Sequence, residues 1–372
     1  MKKILLALSI IGFTSCGENE NSIIQTNVFE TNVDSHKITV SQAEQNALLF
    51  IQDMNAVTRS SAETPVVDNV VAYTNNTETC NTGEPCDTLL YFINFKDNNG
   101  FVVASADDRY VPVFAYIEEG NYSKEDTPNP GFEMFLENIL HKYTDKDDTS
   151  LLKESVAGMR SIGYAGPYVL AKWGNGAPYN MFSAGSTCTP MGVALAQIAS
   201  YYMYPDSVTY HDDGITYTSP LDWYNILTVS AQNYQHMPTG NPYSTQIAHL
   251  IHYIEYNFTE ETTTLSQICL AWFSQLGYNY TTMTSLYSSY DDEIVRTALD
   301  AGQLIYARAY QTKNNNLYSN GHSWVIDGYN SNYYHCNWGW DGSYNGLFLR
   351  TGFNPGYMGS YQYQLAYSVV SL

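Results

Sequence analysis

The sequence predicts an α+β fold in two successive blocks, on three observations. One helix, a group of short strands and a second helix fill the first block, up to about residue 155. Helical patterns then dominate from 186 to 301. From 303 to the end the chain turns to strand, in "QLIYARAYQ", "HSWVIDGY", "YYHCNWGW", "GLFLRTG" and "YQLAYSVVSL". Helices followed by a run of strands indicate segregated helices and antiparallel sheet. With 372 residues, 44% of them hydrophobic, the chain can bury a core in each block.

Taken in order, "MKKILLALSIIGFTSCGENE" has two lysines, an apolar run from Ile4 to Phe13, and small residues before Cys16. It predicts an export signal at 1–16, too short for the ~20 apolar residues of a membrane-spanning helix. Thr14-Ser15-Cys16 resembles a bacterial lipobox. That predicts lipidation at Cys16 as the chain's one membrane contact, and an outer-membrane, cell-surface or secreted location. The alternative is an ordinary secretory signal with an incidental cysteine. Residues 17–37 are polar and aperiodic, a tether. In "TVSQAEQNALLFIQDMN" (39–55), Ser41 followed by Glu44 predicts a capping box, and Ala43, Ala47, Phe50 and Met54 recur at helical spacing. Cys80 and Cys86 bracket a turn holding Gly83 and Pro85, a pair that an oxidising compartment could join. No histidine nearby completes a metal site with them. Three strands follow in "TLLYFINFKDNNGFVVASADDRYVPVFAYIEEG", broken at Asp97–Gly100 and at Asp107-Asp108. A helix at about 131–143 comes after the prolines of 127–131. The polar stretch 142–161 reads as an exposed, cleavable boundary, which divides domain 38–155 from domain 156–372. In the second block, helices are expected after residue 188 and at 244–257, 265–276 and 291–301.

The net charge of −21, with no basic tract after the first three residues, excludes nucleic acid and anionic membrane surfaces as partners.

The chemistry gathers around one cysteine. In "STCTPMGVALAQIASYYMYP" (186–205), Ser186, Thr187 or Thr189 can cap a helix, Pro190 fits its first turn and Pro205 ends it. Cys188 then falls at the positive end of the helix dipole, which favours a thiolate. The bland alternative is a small buried hydrophobe. A thiolate nucleophile needs a base and the base an orienter. In "GHSWVIDGYNSNYYHCNWGW", His322, Trp324 and Ile326 alternate onto one strand face, and Tyr333, His335 and Asn337 onto one face of the next. A turn around 329–331 would set His322 opposite Asn337, or within one residue of it. Trp338 and Trp340 could shield that contact. His335 is a rival base, only two residues from Asn337.

"QIASYYMYP", "GHSWVIDGY", "NWGWDGSYNGLF" and "WGNGAPYN" resemble the streptopain-like cysteine peptidases, peptidase family C10. "GFVVASADDRYVPVFAY" resembles the sheet of that family's inhibitory propeptide. The resemblance spans roughly 38–372. It implies a papain-like catalytic domain behind an inhibitory propeptide domain, made as a latent endopeptidase; separately, the acidic residues straight after Cys16 resemble the surface-export signal of Bacteroides-type lipoproteins. The family resemblance implies Cys188 as nucleophile, His322 as general base, Asn337 as orienter and Asn175 with the Cys188 N–H at the oxyanion, with Trp338 and Gly321 flanking. No metal or cofactor is implied. The partners would be peptide or protein substrates and the chain's own propeptide.

Two departures stand out. The family pattern Cys-x-x-x-Ala-x-Ala-Gln-Ile, aligned on Gln197, puts Pro190 where the thiol belongs, so Cys188 requires two extra residues at the helix start. Asn175 stands where the family has glutamine, one methylene longer. These departures motivate a rival: a peptidase-like surface binding protein without catalysis. A transpeptidase or amidase with the same triad is the third possibility.

Overall fold

The computed structural model describes residues 36–58, 60, 63–74, 88–126, 128–145, 147–157, 163–257, 273–281, 284–285, 289–313, 316–317, 321–353 and 361–372. The export signal with Cys16, most of the tether, Cys80, Cys86, Cys269 and most of the expected helix at 265–276 lie outside them.

Helix α1 (Val40–Thr58) begins one residue before Ser41. Thr39 Oγ1 accepts from the Gln42 N–H at 3.2 Å, and Gln42 Oε1 accepts from the Thr39 N–H at 2.8 Å. The capping box is therefore Thr39/Gln42, not Ser41/Glu44, with the same reciprocal logic two residues earlier. Strands β1 (Val67–Thr74), β2 (Thr88–Phe95), β3 (Phe101–Ser105) and β4 (Val113–Ile117) form an antiparallel meander. The turn expected at Asp97–Gly100 joins β2 to β3, with Asp97 and Asn98 at positive φ. Period-two alternation splits the meander's side chains between its two faces. Tyr91, Ile93, Phe95, Val102, Ala104 and Val113 pack with Ala43, Ala47 and Ile51 of α1. Leu90, Phe92, Phe101, Val103 and Phe114 point the other way.

Helix α2 (Pro130–Thr144) lies on that second face and buries Phe132, Phe135 and Ile139. Asn129 caps it, accepting from the Phe132 N–H at 2.8 Å, and Pro130 fills the first helical position. The polar stretch beyond α2 is tied down more than its composition suggests. The buried Lys142 ammonium pairs with Asp148 at 3.0 Å and Ser150 at 2.9 Å. Leu151 is buried, as is Val156 of α3 (Lys153–Ala157).

The second block adds β5 (Tyr164–Ala165), α4 (Pro190–Tyr202), the hairpin β6 (Ser207–Asp212) and β7 (Ile215–Pro220), α5 (Trp223–Gln232) and α6 (Pro242–Asn257). It continues with β8 (Asn279–Tyr280), β9 (Thr284–Ser285), α7 (Ser289–Asp300), β10 (Leu304–Lys313), β11 (Asn316–Leu317) and β12 (His322–Asn330). β13 (Tyr333–Asn337), β14 (Gly346–Leu349) and β15 (Tyr361–Ser371) complete it. Among the described residues the β6–β7 hairpin forms a sheet of its own, and the other strands share one antiparallel sheet. Its order is β1-β2-β3-β4-β14-β13-β12-β10-β15-β8. The first block's meander thus continues into the second block's sheet through β4 and β14.

Alternation again sorts the faces. Leu304, Tyr306, Val325 and Val370 pack with α4, α5 and α6. Ile305, Ala307, Trp324 and Ile326 join the cluster that includes α2. A first-block helix therefore covers one face of the second block's sheet. Among the described residues, no helix is long and apolar enough to cross a membrane.

Candidate active site

Thr189 caps α4, its Oγ1 accepting from the Gly192 N–H at 3.1 Å, and Pro190 takes the first helical position. Cys188 thus lies two residues upstream, in the loop, and is 2% exposed. Its Sγ faces the carbonyls of Asn175 at 3.3 Å and Gly174 at 3.8 Å, so the thiol is placed to donate. Its N–H donates to the Asn175 carbonyl at 2.8 Å. That corrects the expectation of a free Cys188 N–H at an oxyanion: here the donor is spent. The positive end of the helix is filled by a carboxylate. Glu255 of α6 accepts from the Thr189 N–H through Oε1 and from Ser183 Oγ at 2.7 Å through Oε2. Burial, then the charge of Glu255, push the thiol pKa well above its ordinary value, with Asp341 adding to them and a backbone hydrogen bond opposing in part. The sulfur is a neutral thiol.

His322 opens β12 on the same face as Trp324 and Ile326, as the alternation predicts. That face is the one α2 covers. A Cβ built on Gly131, at the start of α2, would lie 2.2 Å from the Trp338 ring and 2.9 Å from His322 Cδ2. The first-block helix therefore presses its N-terminal turn on the histidine, where only glycine fits. His322 Nε2 meets the Trp338 carbonyl at 2.9 Å. A carbonyl only accepts, so Nε2 carries the proton and Nδ1 presents a lone pair, which has no partner among the described residues. Burial lowers the imidazole pKa to about 4, against a smaller raising effect of the Trp338 carbonyl. At neutral pH the ring is uncharged.

The register differs from the expected one. β12 and β13 turn tightly between Asn330 and Tyr333, with Ser331 at positive φ, and an irregularity intervenes between Ile326 and Gly328. Asn337 consequently faces Val325, not His322. Its amide braces the backbone instead: Nδ2 donates to the Ala171 carbonyl at 2.8 Å and Oδ1 accepts from the Gly339 N–H at 3.2 Å. The group on the imidazole is the main chain of the next residue, Trp338, whose ring lies 6.1 Å from that of His322. Gly321 is half-buried just before β12, and Asn175 is half-buried beside Cys188. His335, the rival base, is held elsewhere, 2.6 Å from Asp327. Asp341 was not singled out in the sequence. Its carboxyl sits on Gly174, 2.3 Å from where a Cβ would stand, at the rim of the cysteine's loop. Glu255 was likewise missed, since nothing in its helical spacing marks it as facing α4.

Cys188 packs with the cluster of α4 and α6, His322 lies under the start of α2, and among the described residues no hydrogen bond joins the two. A thiol, an imidazole whose Nδ1 lone pair is unused and a nearby asparagine are the parts of an acyl-transfer site. Among the described residues no group of His, Cys, Asp and Glu could hold a metal ion.

Residues 173–348 match the Peptidase C10 family, and residues 35–143 match the Spi protease inhibitor. The chain is 23% identical over 367 residues to the thiol protease/hemagglutinin PrtT of Porphyromonas gingivalis, covering 87% of this chain and 40% of that protein. It is 24% identical over 372 residues to streptopain of Streptococcus pyogenes, covering 86% of each. Among solved structures, a prointerpain A fragment of Prevotella intermedia superposes with a TM-score of 0.56 at 19% identity, over 76% of this chain and 95% of the fragment. That likeness carries the fold.

Proposed function

We propose that this chain, a member of the streptopain-like Peptidase C10 family with a Spi-type inhibitor domain ahead of its peptidase domain, is made as a latent cysteine endopeptidase. The observation that carries this reading is the α2 N-terminus pressed on His322 and Trp338. An inhibitor domain seated on the base, with a neutral thiol that donates to backbone carbonyls, is a resting state. The propeptide is residues 38–155 and the peptidase domain 156–372. Removing the propeptide frees His322 to approach Cys188.

In the assembled site, His322 Nδ1 takes the Cys188 proton and the thiolate attacks a peptide carbonyl. The Asn175 amide donates to the oxyanion, and the Trp338 carbonyl holds the ring's other nitrogen while Asn337 fixes the backbone. The imidazolium gives its proton to the leaving amine, and water then hydrolyses the thioester, restoring the thiol and releasing the acid. Export follows the signal at 1–16, and the lipid anchor is at Cys16.

The test pairs a thiol-reactive probe with peptide hydrolysis, before and after cleavage near residue 155. Cleaved wild type should label fast at Cys188 and hydrolyse peptides, and both Cys188→Ala and His322→Ala should abolish hydrolysis. Slow labelling that ignores His322→Ala, with no hydrolysis, would sink the reading. One observation favours the second reading, a non-catalytic binding protein: Pro190, not a thiol, begins α4, and Glu255 fills the helix start. That outcome of the labelling would select it.

A further inference from the structure

Where β4 ends, two carboxylates of the inhibitor domain meet two cations of the peptidase domain. β4 pairs with β14 through Ala115↔Phe348, Tyr116↔Leu347 and Ile117↔Gly346. The approach is close enough that a Cβ on Gly346 would stand 2.1 Å from the Tyr116 carbonyl. The Glu118 N–H continues the ladder onto the Asn345 carbonyl at 3.1 Å. The Glu118 carboxylate lies 3.5 Å from His335 Nε2, an ion-pair distance without hydrogen-bond geometry. The other face of that imidazole is already committed. Its Nδ1 meets Asp327 Oδ1 at 2.6 Å, and Asp327 Oδ2 accepts from the Val169 N–H at 2.9 Å. His335 is thus a buried ring between two carboxylates, one from each domain. The next residue, Glu119, pairs with Lys172.

We propose that Glu118 and Glu119 are an acid-labile clasp that keeps the propeptide seated as the edge strand on β14, through boundary cleavage and until the medium acidifies. The partner this surface fits is the chain's own segment 113–119. The proposal rests on the reading of 38–155 as a propeptide.

The charged and titratable groups around the clasp are few. Asp327 faces His335 from β12. Tyr116 lies beside it on β4, its phenol raised to about 12 by burial and by the Glu118 charge. Tyr164 and Tyr329 line the adjoining pocket with Met54, Asn55 and Thr58 of α1, which do not titrate. Glu63, Lys96 and Asp97 line the cavity on the other side of Glu118. Cys336, the neighbour of His335, is held neutral by burial.

Burial raises the Glu118 pKa, but the charge of the nearby His335, with the Lys172 charge, outweighs it and leaves the carboxyl below its ordinary value. Its part of the clasp is therefore present above the usual ~4.3 and is lost as pH falls through the lowered value. Burial lowers the His335 pKa, but the charges of Asp327 and then Glu118, with the hydrogen bond to Asp327, carry it to about 10. Its part is full below the usual ~6.5 and fades as pH rises toward that value. Because Asp327 stays with the peptidase domain, acid acts mainly through Glu118.

The experiment uses the full chain. Amide exchange at 115–117 and 346–348, corrected for intrinsic rates, is compared with exchange at the β10–β15 pairs from pH 7 to pH 2.5, a range that spans the lowered Glu118 pKa. The His335 imidazole is titrated by NMR in the same samples. In wild type, seam protection should fall about tenfold relative to β10–β15 over that range. Glu118→Gln should lose protection already at pH 7, show no further acid step, and drop the His335 midpoint by about one unit. Glu119→Gln leaves the His335 contact intact and should lower protection while keeping the acid step, so it serves if Glu118→Gln does not fold. A flat wild-type ratio, or a folded Glu118→Gln that moves neither readout, overturns the clasp. None of these readouts uses catalysis, so the clasp and the peptidase reading can fail separately.

Discussion

Cys188 has the surroundings of a thiol kept neutral. Carbonyls face its sulfur, and the Glu255 carboxylate holds the helix-start N–H that would otherwise favour an anion. Glu255→Gln keeps an acceptor for the Thr189 N–H while removing the charge. Alkylation of Cys188 in the full chain at pH 8 should therefore speed up, by roughly 3- to 10-fold if the thiol pKa falls by half a unit to one unit. An unchanged rate would mean burial alone sets the thiol. Gly131 tests the other half of the site. Alanine there needs the Trp338 ring to move, since its Cβ would stand 2.2 Å away. Overpacking of this kind costs about 1–3 kcal/mol. Gly131→Ala should lower the denaturation midpoint and expose His322, read as a rise of its NMR titration midpoint from about 4 toward its usual ~6.5. A midpoint that stays put would show that α2 does not seal the histidine.

Elements carry these contacts through their ends. Asn129 caps α2 through its carbonyl oxygen and reaches Ser343 with its amide nitrogen at 3.3 Å, so it fixes both the helix and its seat on the peptidase domain. Asn129→Asp keeps the capping oxygen and loses the donor, whereas Asn129→Ala loses both. Chemical denaturation should show a larger loss for alanine, by about 0.5–2 kcal/mol. Equal losses would assign the whole effect to Ser343. Ends were also where the sequence was hardest to read. The existence of α1, α2, α4 and β12 was legible, because apolar spacing, Pro190, and the alternation of His322, Trp324 and Ile326 survive in any context. The cap of α1 was not, since Thr39 and Ser41 are equally able to accept. Nor was the partner of Asn337. A hairpin's register depends on where its turn closes, and here Ser331 takes the positive φ that places the turn later than expected. That moves Asn337 to Val325 and leaves the main chain of Trp338 to hold the imidazole.

At the scale of the molecule, a sheet running through both domains brings first-block groups onto second-block chemistry. Sequence separation hides this, since Glu118 and His335 share no periodicity. It also gives the molecule two buried histidines with opposite linkage. The fold binds His335 as a cation, so its contribution is present at low pH and fades as pH rises from about 6.5 toward about 10. The fold keeps His322 neutral with a pKa of about 4, so the unfolded chain takes up that proton first. Stability is then lost as pH falls from about 6.5 toward 4, by about 2 kcal/mol between pH 7 and pH 4.5. Asp107 adds to the same limb: burial raises its pKa, but its bonds and charge pairing with Arg109 win and leave it lowered. Denaturation of the full chain across pH should therefore give a maximum near neutrality. His322→Asn should flatten the acid limb by about 2 kcal/mol and leave the alkaline limb alone, because Asp327 and Glu118 still hold His335. His335→Asn should do the reverse. An acid limb of unchanged steepness in His322→Asn would mean that His322 is open to water and protonated in the folded chain, and that α2 does not cover it.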